Sequence, residues 1–359
     1  MFDFLNTWLS TGGFWVAVPL IIVGCTALIK GADFLVDGAS GLAKKYGVSD
    51  IVIGLTVVAF GTSMPEFVVN MVAVGQGSTE IAITNVLGSN IINTFVILGC
   101  TALIFPISSQ KATRRFDIPF SMLAALLVLL FAVYNSPSWL QIEHIFNMNI
   151  ADPTLSDLGS IQMGQGKAGF ISGVGGCILL IFFLIFLWHN FKGIGSAPQT
   201  ESNEGYKPMS AKRALALILG GLVGLVVGGE VIVKSATSIA HSLGVSDAII
   251  GLTVVALGTS LPELATSCMA AFKKNCDIAL GNVIGSNIFN IFFILGTSAC
   301  VKALPGYHGL EIDALMAALG SVLVMLFVYL TKKHEIKRWH GAILLLTYAA
   351  YLAYRIITL

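Results

Sequence analysis

The apolar stretches of this sequence constrain its fold more than any other feature, because many of them are long enough to cross a membrane. A transmembrane helix needs about 20 mostly apolar residues. Only 11% of the 359 residues are charged and 56% are hydrophobic, whereas a soluble domain carries about 25% charged residues. We therefore predict an all-α polytopic membrane protein with ten transmembrane helices, at about 14–33, 48–74, 80–105, 116–135, 168–190, 212–236, 246–272, 278–302, 311–331 and 339–357.

An internal repeat emerges when the sequence is shifted by 197 positions against itself. GVSDIVIGLTVVAFGTSMPE at 47–66 lies over GVSDAIIGLTVVALGTSLPE at 244–263, and ITNVLGSNIINTFVILG at 83–99 lies over LGNVIGSNIFNIFFILG at 280–296. About 30 of the 53 aligned positions are identical, without a gap. Each half holds five predicted spans, and because five is odd, the second half enters the membrane from the opposite side. Such inverted repeats are typical of secondary transporters, which bind substrate near the bilayer midplane.

The repeat predicts three parts of the chain. Residues 1–190 form a first five-helix repeat with its motif at 47–99, and residues 212–359 form a second one with its motif at 244–296. The segment 191–211 between them is rich in Gly, Ser, Pro and charge, which predicts a flexible linker.

The positions of the basic residues predict the orientation in the membrane. Of the 20 Lys and Arg residues, 15 fall in alternate loops, and the linker is one of these loops. Because positively charged loops stay on the cytoplasmic side, the linker is predicted to be cytoplasmic, and both termini and the connection 136–166 external. The loops are compact, which suggests a prokaryotic inner membrane. A monomer suffices for this architecture, and the sequence leaves the oligomeric state open.

Two glutamates stand in the middle of apolar runs, Glu66 in the first repeat and Glu263 in the second. An acidic residue at the bilayer centre costs roughly 2.5–3.5 kcal/mol on insertion scales, so it points to function. Pro65 and Pro262 precede them, and a proline within a helix removes a backbone hydrogen bond. Carbonyls freed at membrane depth persist only where protein or a cavity satisfies them. The alternative is that both carboxyl groups are structural hydrogen-bonding groups.

Hydroxyl and amide side chains accompany each glutamate. Thr62 and Ser63 share the helix face of Glu66, at four and three residues before it, and Thr259 and Ser260 repeat this arrangement before Glu263. Back-bonding to their own helix is the structural alternative for these hydroxyls. The next span of each half carries a polar stripe at every fourth residue, and its members are Asn85, Ser89 and Asn93, then Asn282, Ser286 and Asn290. For Asn85 and Asn282, interhelical hydrogen bonding and ion contact stay equally open.

Many oxygen ligands without His or Cys suit hard cations such as Ca²⁺, Mg²⁺ or Na⁺. Asp33 and Glu230 also correspond under the repeat, but they lie near span ends and are expected at the membrane interface. The six cysteines are scattered without a C-x-x-C or Cys/His cluster, which predicts neither a zinc nor a redox site.

The two carboxylates also predict the mode of transport. Together they carry a charge of about −2, and burying like charges without a partner is heavily penalised. The empty carrier therefore cannot reorient, and transport must be exchange. The many hydroxyls around the carboxylates favour sodium, so the leading prediction is a Na⁺-driven Ca²⁺ antiporter; the alternative is a proton-driven divalent-cation antiporter. A channel would need a continuous pore, and an enzyme would need a base near Ser63, so both are disfavoured. No cofactor and no nucleic-acid partner is expected.

The motifs GTSMPE with TNVLGSNIIN, and GTSLPE with GNVIGSNIFN, resemble those of the calcium/cation antiporter superfamily, within it the prokaryotic sodium/calcium exchanger family. The resemblance implies that spans 1 and 6 slide across a static core. It also implies a central Ca²⁺ site at Glu66 and Glu263, with Asn93 and Asn290 at the matching positions of the next spans. The sodium sites that it implies use the side chains of Thr62, Ser63, Ser89, Thr259, Ser260 and Ser286, and backbone oxygens of Ala59 and Ala256.

Two departures from the resemblance concern single residues. Relatives that co-transport potassium, and some archaeal exchangers, have Asp where this chain has Asn290, so we expect exchange without potassium. Thr84 replaces the glycine that precedes Asn282 in the second repeat.

Overall fold

The computed structural model of the protein describes five stretches of the chain, which are residues 3–134, 169–192, 209–244, 256–307 and 309–358. They are almost entirely helical, as expected for a chain in lipid, where each backbone polar group must be bonded internally. The predicted external connection 136–166 and residues 193–208 of the predicted linker lie outside the described residues.

The first half contains nine described helices. They are α1 (Asp3–Tyr46), α2 (Asp50–Ile53), α3 (Ala59–Thr62), α4 (Met64–Gly75), α5 (Thr79–Ile91), α6 (Leu98–Ile104), α7 (Lys111–Arg115), α8 (Asp117–Tyr134) and α9 (Gly173–Lys192). Two π-helical segments, π1 (Gly54–Val58) and π2 (Ile92–Ile97), continue α2 and α5 without a break. Two short strands, β1 (Ile107–Ser108) and β2 (Gly169–Ile171), complete this half.

The second half follows the same order within the described residues. Its helices are α10 (Ala211–Ser242), α11 (Ala256–Thr259), α12 (Leu261–Phe272), α13 (Cys276–Ile288), α14 (Gly296–Val301), α15 (Leu310–Leu330) and α16 (Arg338–Thr358). The segment π3 (Phe289–Leu295) joins α13 to α14, and the strands are β3 (Leu304–Pro305) and β4 (Glu335–Ile336). The bounds of α3, α4 and α5 recur 197 residues later as those of α11, α12 and α13.

Most of the predicted membrane spans are present as long apolar helices. Within the described stretches, eight helices are long and apolar enough to cross a membrane, and Asp50–Thr62 with Met64–Gly75, bent by 45°, would make a ninth. The predicted span 246–272 begins outside the described residues, so ten spans remain a prediction. Large apolar side chains on the outer helices, such as Trp15 on α1 and Leu346 on α16, are exposed, as in a surface that faces lipid.

The longest helices, α1 and α10, pack against each other through glycines. Gly24 and Gly31 lie seven residues apart on α1, opposite Gly228 and Gly221 on α10. A Cβ added at Gly31 would lie 2.7 Å from the carbonyl oxygen of Gly221, and one added at Gly221 would lie 2.7 Å from that of Gly31. The two backbones therefore touch, as small residues allow in membranes.

The helix ends are tied together on both sides of the bundle. We call the end with the C-terminus of α9 and the N-terminus of α10 the linker side, and the opposite end the far side. On the linker side β1 pairs antiparallel with β4, and on the far side β2 pairs antiparallel with β3. The most buried helix is α13, whose residues are all buried; it lies between these ties, against π1 and α12.

Candidate ion-binding site

Each glutamate lies in the first turn of a helix that follows a break. Helix α3 ends at Thr62 and α4 begins at Met64, with a bend of 45° between them. Pro65 lies in the first turn of α4, where a missing N–H leaves no bond unmade. Helices α11 and α12 repeat this break around Ser260 and Pro262. The prolines predicted these interruptions, and each break places a carboxylate at a helix N-terminus, which favours negative charge.

The two halves meet at the carboxylates. Glu66 and Glu263 are each 1% exposed. The Ser63 hydroxyl donates to Oε1 of Glu263 at 3.0 Å, and the Ser260 hydroxyl approaches Oε1 of Glu66 at 3.5 Å. Each serine therefore contacts the glutamate of the other half rather than its own helix. The break in one repeat thus completes the site of the other.

Several buried oxygens around the glutamates have no hydrogen-bond partner among the described residues. They include Oε2 of Glu66 and Oε2 of Glu263. They also include Oδ1 of Asn93, Oδ1 of Asn290 and the hydroxyl of Ser286. Buried polar atoms are normally bonded, so a cluster of unsatisfied oxygens needs an explanation. A bound cation is one partner that could satisfy such oxygens.

The π-helical segments hold the two asparagines. Asn93 lies in π2 and Asn290 in π3, and both are buried. A π segment widens the helix by one residue per turn and is frequent at functional sites. The side chains before and after a π segment therefore point in directions that a regular α-helix would not give them. Ser89 and Ser286, one turn earlier, are buried as well.

Sequence reasoning missed a second set of asparagines, Asn90 and Asn287, whose hydrogen bonds fix the orientation of the Asn290 amide. The Asn290 side-chain amide donates to Oδ1 of Asn90 at 3.0 Å, which leaves its own Oδ1 unbonded. Asn90 in turn donates to the backbone oxygen of Asn287 at 3.2 Å, and Asn287 donates to the Thr94 hydroxyl at 2.8 Å. The repeated GSN triplets, at 88–90 and 285–287, were the signal available in the sequence.

Asn85 and Asn282 bond to the glutamate helices. Their amides donate to the backbone oxygens of Glu66 at 3.4 Å and of Glu263 at 3.2 Å. Their partners one turn beyond each glutamate are Asn70 at 2.7 Å and Ser267 at 2.9 Å. Interhelical hydrogen bonding, one of the two options open for these asparagines, is therefore what the structure contains.

The other predicted site residues are the two threonines and the two alanines of the repeated motif. Thr62 is buried and its hydroxyl donates to Oδ1 of Asn282 at 3.1 Å, while Thr259 is only half-buried. The backbone oxygen of Ala59 accepts from the Ser63 N–H at 3.0 Å, and Ala256 begins α11.

Asp33 and Glu230 lie outside the centre and form ion pairs. Asp33 pairs with Lys273 at 2.6 Å, and Glu230 with Lys234 at 3.3 Å. The expectation that they are merely interfacial is incomplete for Asp33, because its ion pair joins α1 to the end of α12.

The linker side and the far side of the bundle differ in how tightly the helices around the site are packed. On the linker side Gly54 and Gly281 touch, since a Cβ at either would lie about 3.0–3.2 Å from backbone atoms of the other's helix. Lys273 closes the same side through Asp33 and Asp37, both at 2.6 Å. On the far side Thr84 of α5 is exposed and Asn85 is half-buried, whereas every residue of α13 is buried. The linker side is the closed one in this conformation.

The donor atoms at this centre are oxygens. Across the described stretches, no group of three or more His, Cys, Asp or Glu residues could hold a metal ion. The two carboxylates are instead accompanied by hydroxyl and amide oxygens, which suit Ca²⁺ and Na⁺.

A family model described as sodium/calcium exchanger protein matches residues 16–192 and 213–357. This chain belongs to the sodium/calcium exchanger family. It is therefore a cation antiporter of the membrane and not an enzyme, as the sequence motifs predicted.

Individual relatives and a solved structure support the same family. The chain is 34% identical to the putative antiporter CaxA of Alkalimonas amylolytica, over 94% of this chain and 97% of that one. It is 34% identical to the sodium/calcium exchanger MaX1 of Methanosarcina acetivorans, over 93% of this chain and 96% of that one. The solved structure of the sodium-calcium exchanger NCX_Mj matches with a TM-score of 0.75 at 30% identity, over 95% of this chain and 99% of that one.

Proposed function

We propose that this exchanger moves Ca²⁺ across the membrane in one direction in return for Na⁺ in the other, at a single site centred on Glu66 and Glu263. One observation carries the proposal: helices broken in both halves carry two buried glutamates, which contact each other's serines and have oxygens that lack a hydrogen-bond partner among the described residues. The printed names of MaX1 and NCX_Mj, both sodium/calcium exchangers, agree with it.

The proposed Ca²⁺ ligands are Glu66, Glu263, Asn93 and Asn290. Ca²⁺ takes about 6–8 oxygens, of which two bidentate carboxylates could supply about four and the two amides about two more. The amides add no charge, so the site carries about −2, which one Ca²⁺ or two Na⁺ neutralise. Asn90 supports this assignment because its bond to the Asn290 amide leaves the Asn290 oxygen as the free end.

The proposed Na⁺ ligands are the hydroxyls around the carboxylates and two carbonyls at the breaks. Na⁺ is a hard cation of single charge, so neutral oxygens suit it once a carboxylate is shared. The set comprises Thr62, Ser63, Ser89, Thr259, Ser260 and Ser286, with the backbone oxygens of Ala59 and Ala256.

We propose two inverted five-helix repeats, 1–190 and 212–359, that alternate access to this site. The coincidence of helix bounds at a shift of 197 supports the repeat. The glycine contact between α1 and α10 supports movement of these two helices as one unit, because their backbones touch at Gly31 and Gly221. In the proposed topology the linker is cytoplasmic, both termini are external, and the membrane is the inner membrane.

The decisive experiment is Ca²⁺ flux in liposomes with imposed gradients of Na⁺, K⁺ or H⁺. We expect Na⁺-dependent flux, no K⁺ requirement, and loss of exchange in Glu66→Gln and Glu263→Gln, which remove charge at nearly constant volume. Glu230→Gln is the matched control, because that carboxylate lies 3.3 Å from Lys234 on α10 and outside the centre. Flux driven by H⁺ without Na⁺ would favour the proton-coupled alternative, and exchange in either Gln variant would exclude that residue from the site.

The orientation is tested separately by labelling. A cysteine introduced between residues 193 and 208 should react with an impermeant thiol reagent only from the cytoplasmic side, and one between 136 and 166 only from outside. The reverse result would overturn the topology and leave the ion site untouched.

A further inference from the structure

Two thiols that are far apart in sequence lie side by side on the far side of the bundle. Cys177 is on the second turn of α9 and Cys300 is on the last turn of α14. Their sulfurs are 3.7 Å apart, although 123 residues separate them, and both residues are exposed. The scattered cysteines predicted no redox site, since sequence spacing does not reveal which spans become neighbours.

The backbone holds the two thiols in place. Next to them β2 pairs with β3, with Ile171 opposite Leu304. A Cβ added at Gly176, the residue before Cys177, would lie 2.6 Å from the carbonyl oxygen of Gly296, one turn before Cys300. Helices α9 and α14 are therefore in direct backbone contact on one side of the thiols. On the other side, the strand before α9 pairs with the strand after α14. The approach of the sulfurs follows from this packing and does not depend on one side-chain rotamer alone.

We propose that Cys177 and Cys300 form a redox modification site, which a small disulfide oxidant such as oxidised glutathione converts to an intramolecular disulfide. One thiol attacks the oxidant and releases one reduced oxidant thiol; the second thiol then attacks the mixed disulfide and releases the other. The protein loses two protons and two electrons as its S–S bond forms, and the oxidant gains both. A disulfide has its sulfurs about 2.05 Å apart, so the side chains must close a gap of roughly 1.7 Å from the present 3.7 Å by rotation.

The bond would join the two halves of the chain covalently. It would connect α9, the last helix of the first half, to α14 of the second, and would close a loop between two cysteines that are 123 positions apart in sequence. A cross-link that closes a long loop lowers the entropy of the unfolded chain and so favours the folded state. Neither α1 nor α10 is part of the cross-link, so exchange should continue in the oxidised protein. The proposal rests on the packing of α9 and α14 and is independent of which ion drives exchange.

Thiol counting after oxidation tests the site. The chain has six cysteines. Purified full-length protein is treated with oxidised glutathione, denatured without reductant and reacted with a maleimide of known mass. We expect two labels fewer than in the reduced protein, with full labelling restored by reductant. In Cys177→Ala and Cys300→Ala the remaining thiol can form only the mixed disulfide with glutathione, so at most one label should be lost and no cross-linked peptide should form, whereas the matched control Cys100→Ala should still lose two labels.

Peptide mapping and thermal unfolding complete the test. Mass spectrometry should find the cross-linked peptides of Cys177 and Cys300, and the oxidised wild type should unfold at a higher temperature than the reduced one. Oxidised Cys177→Ala should show no such rise. Unchanged labelling after oxidation would overturn the proposal, and so would a cross-link that joins another pair, such as Cys100 with Cys268.

Discussion

Thr84 differs from its counterpart in the second half, Gly281, at a point where two helices pack backbone to backbone. Its counterpart Gly281 touches π1, and a Cβ there would lie 3.0 Å from the Cα of Gly54 and 3.0 Å from the oxygen of Ile51. Thr84 itself is exposed on the far side, where its hydroxyl donates to the backbone oxygen of Glu80 at 3.0 Å. The larger side chain is thus tolerated in the present conformation.

The cost of Thr84 arises when the far side closes. In an inverted repeat, closure brings residue 84 into the surroundings that Gly281 has now, and threonine has a Cβ, a methyl and a hydroxyl too many for that space. Overpacking costs about 1–3 kcal/mol, which corresponds to about 5–150-fold in an equilibrium constant. We expect Thr84→Gly to raise the population of the far-side-closed conformation by a factor in this range. The lower helix propensity of glycine, about 1 kcal/mol, acts on both conformations and leaves their ratio unchanged.

Hydrogen exchange measured by mass spectrometry reads this equilibrium on both sides at once. In Thr84→Gly the amides of α5 should become more protected and those of α13 less protected than in the wild type. Thr84→Ser, which keeps the Cβ and the hydroxyl, is the matched control and should stay near the wild type. Gly281→Thr should open the linker side. Equal protection in Thr84→Gly and wild type, or changes of the same sign in α5 and α13, would refute the exchange of packing between the halves.

Two further predictions concern the amides. Asn290→Asp adds a third carboxylate to a buried pair, and three carboxylates cannot all stay ionised without cations, so protons should compete with Ca²⁺ for the site. Flux in liposomes should therefore fall more steeply than in the wild type between about pH 8 and 5. Identical pH profiles would place residue 290 outside the carboxylate cluster. Asn90→Ala removes the acceptor at 3.0 Å that fixes the Asn290 amide, which costs about 1–3 kcal/mol when the donor is left unpaired. The Ca²⁺ concentration for half-maximal flux should therefore rise more than the maximal rate falls, and an unchanged Ca²⁺ dependence would contradict the positioning role.

The sequence predicted the apolar helices and the breaks at the two glutamates, because each has a local signal; the ligand set around the glutamates stays a prediction. Pro65 and Pro262 mark the breaks, and a charge within an apolar run marks the site. The π segments had no such signal: a turn that is one residue wider depends on what packs against it, and INTFVI and FNIFFIL carry no proline or glycine that would mark it. The bonds from Ser63 to Glu263 and from Asn290 to Asn90 cross between halves, so spacing along the chain could not indicate them.

The preferred conformation of the carrier, open to one side or to the other, is the hardest property to predict from a repeated sequence. Two halves with one sequence would have two conformations of equal energy, open to either side and related by the two-fold axis of the repeat, and no pattern shared by the halves could favour one. Only the differences between the halves carry that preference. Thr84 against Gly281 is one, and Lys273, which bonds to Asp33 and Asp37 on the linker side, is another, since Gln76 stands at its counterpart position. Both differences favour the closed linker side. In an alignment of the two halves, the shared positions therefore indicate the ion site. The positions that differ indicate which of the two conformations is favoured.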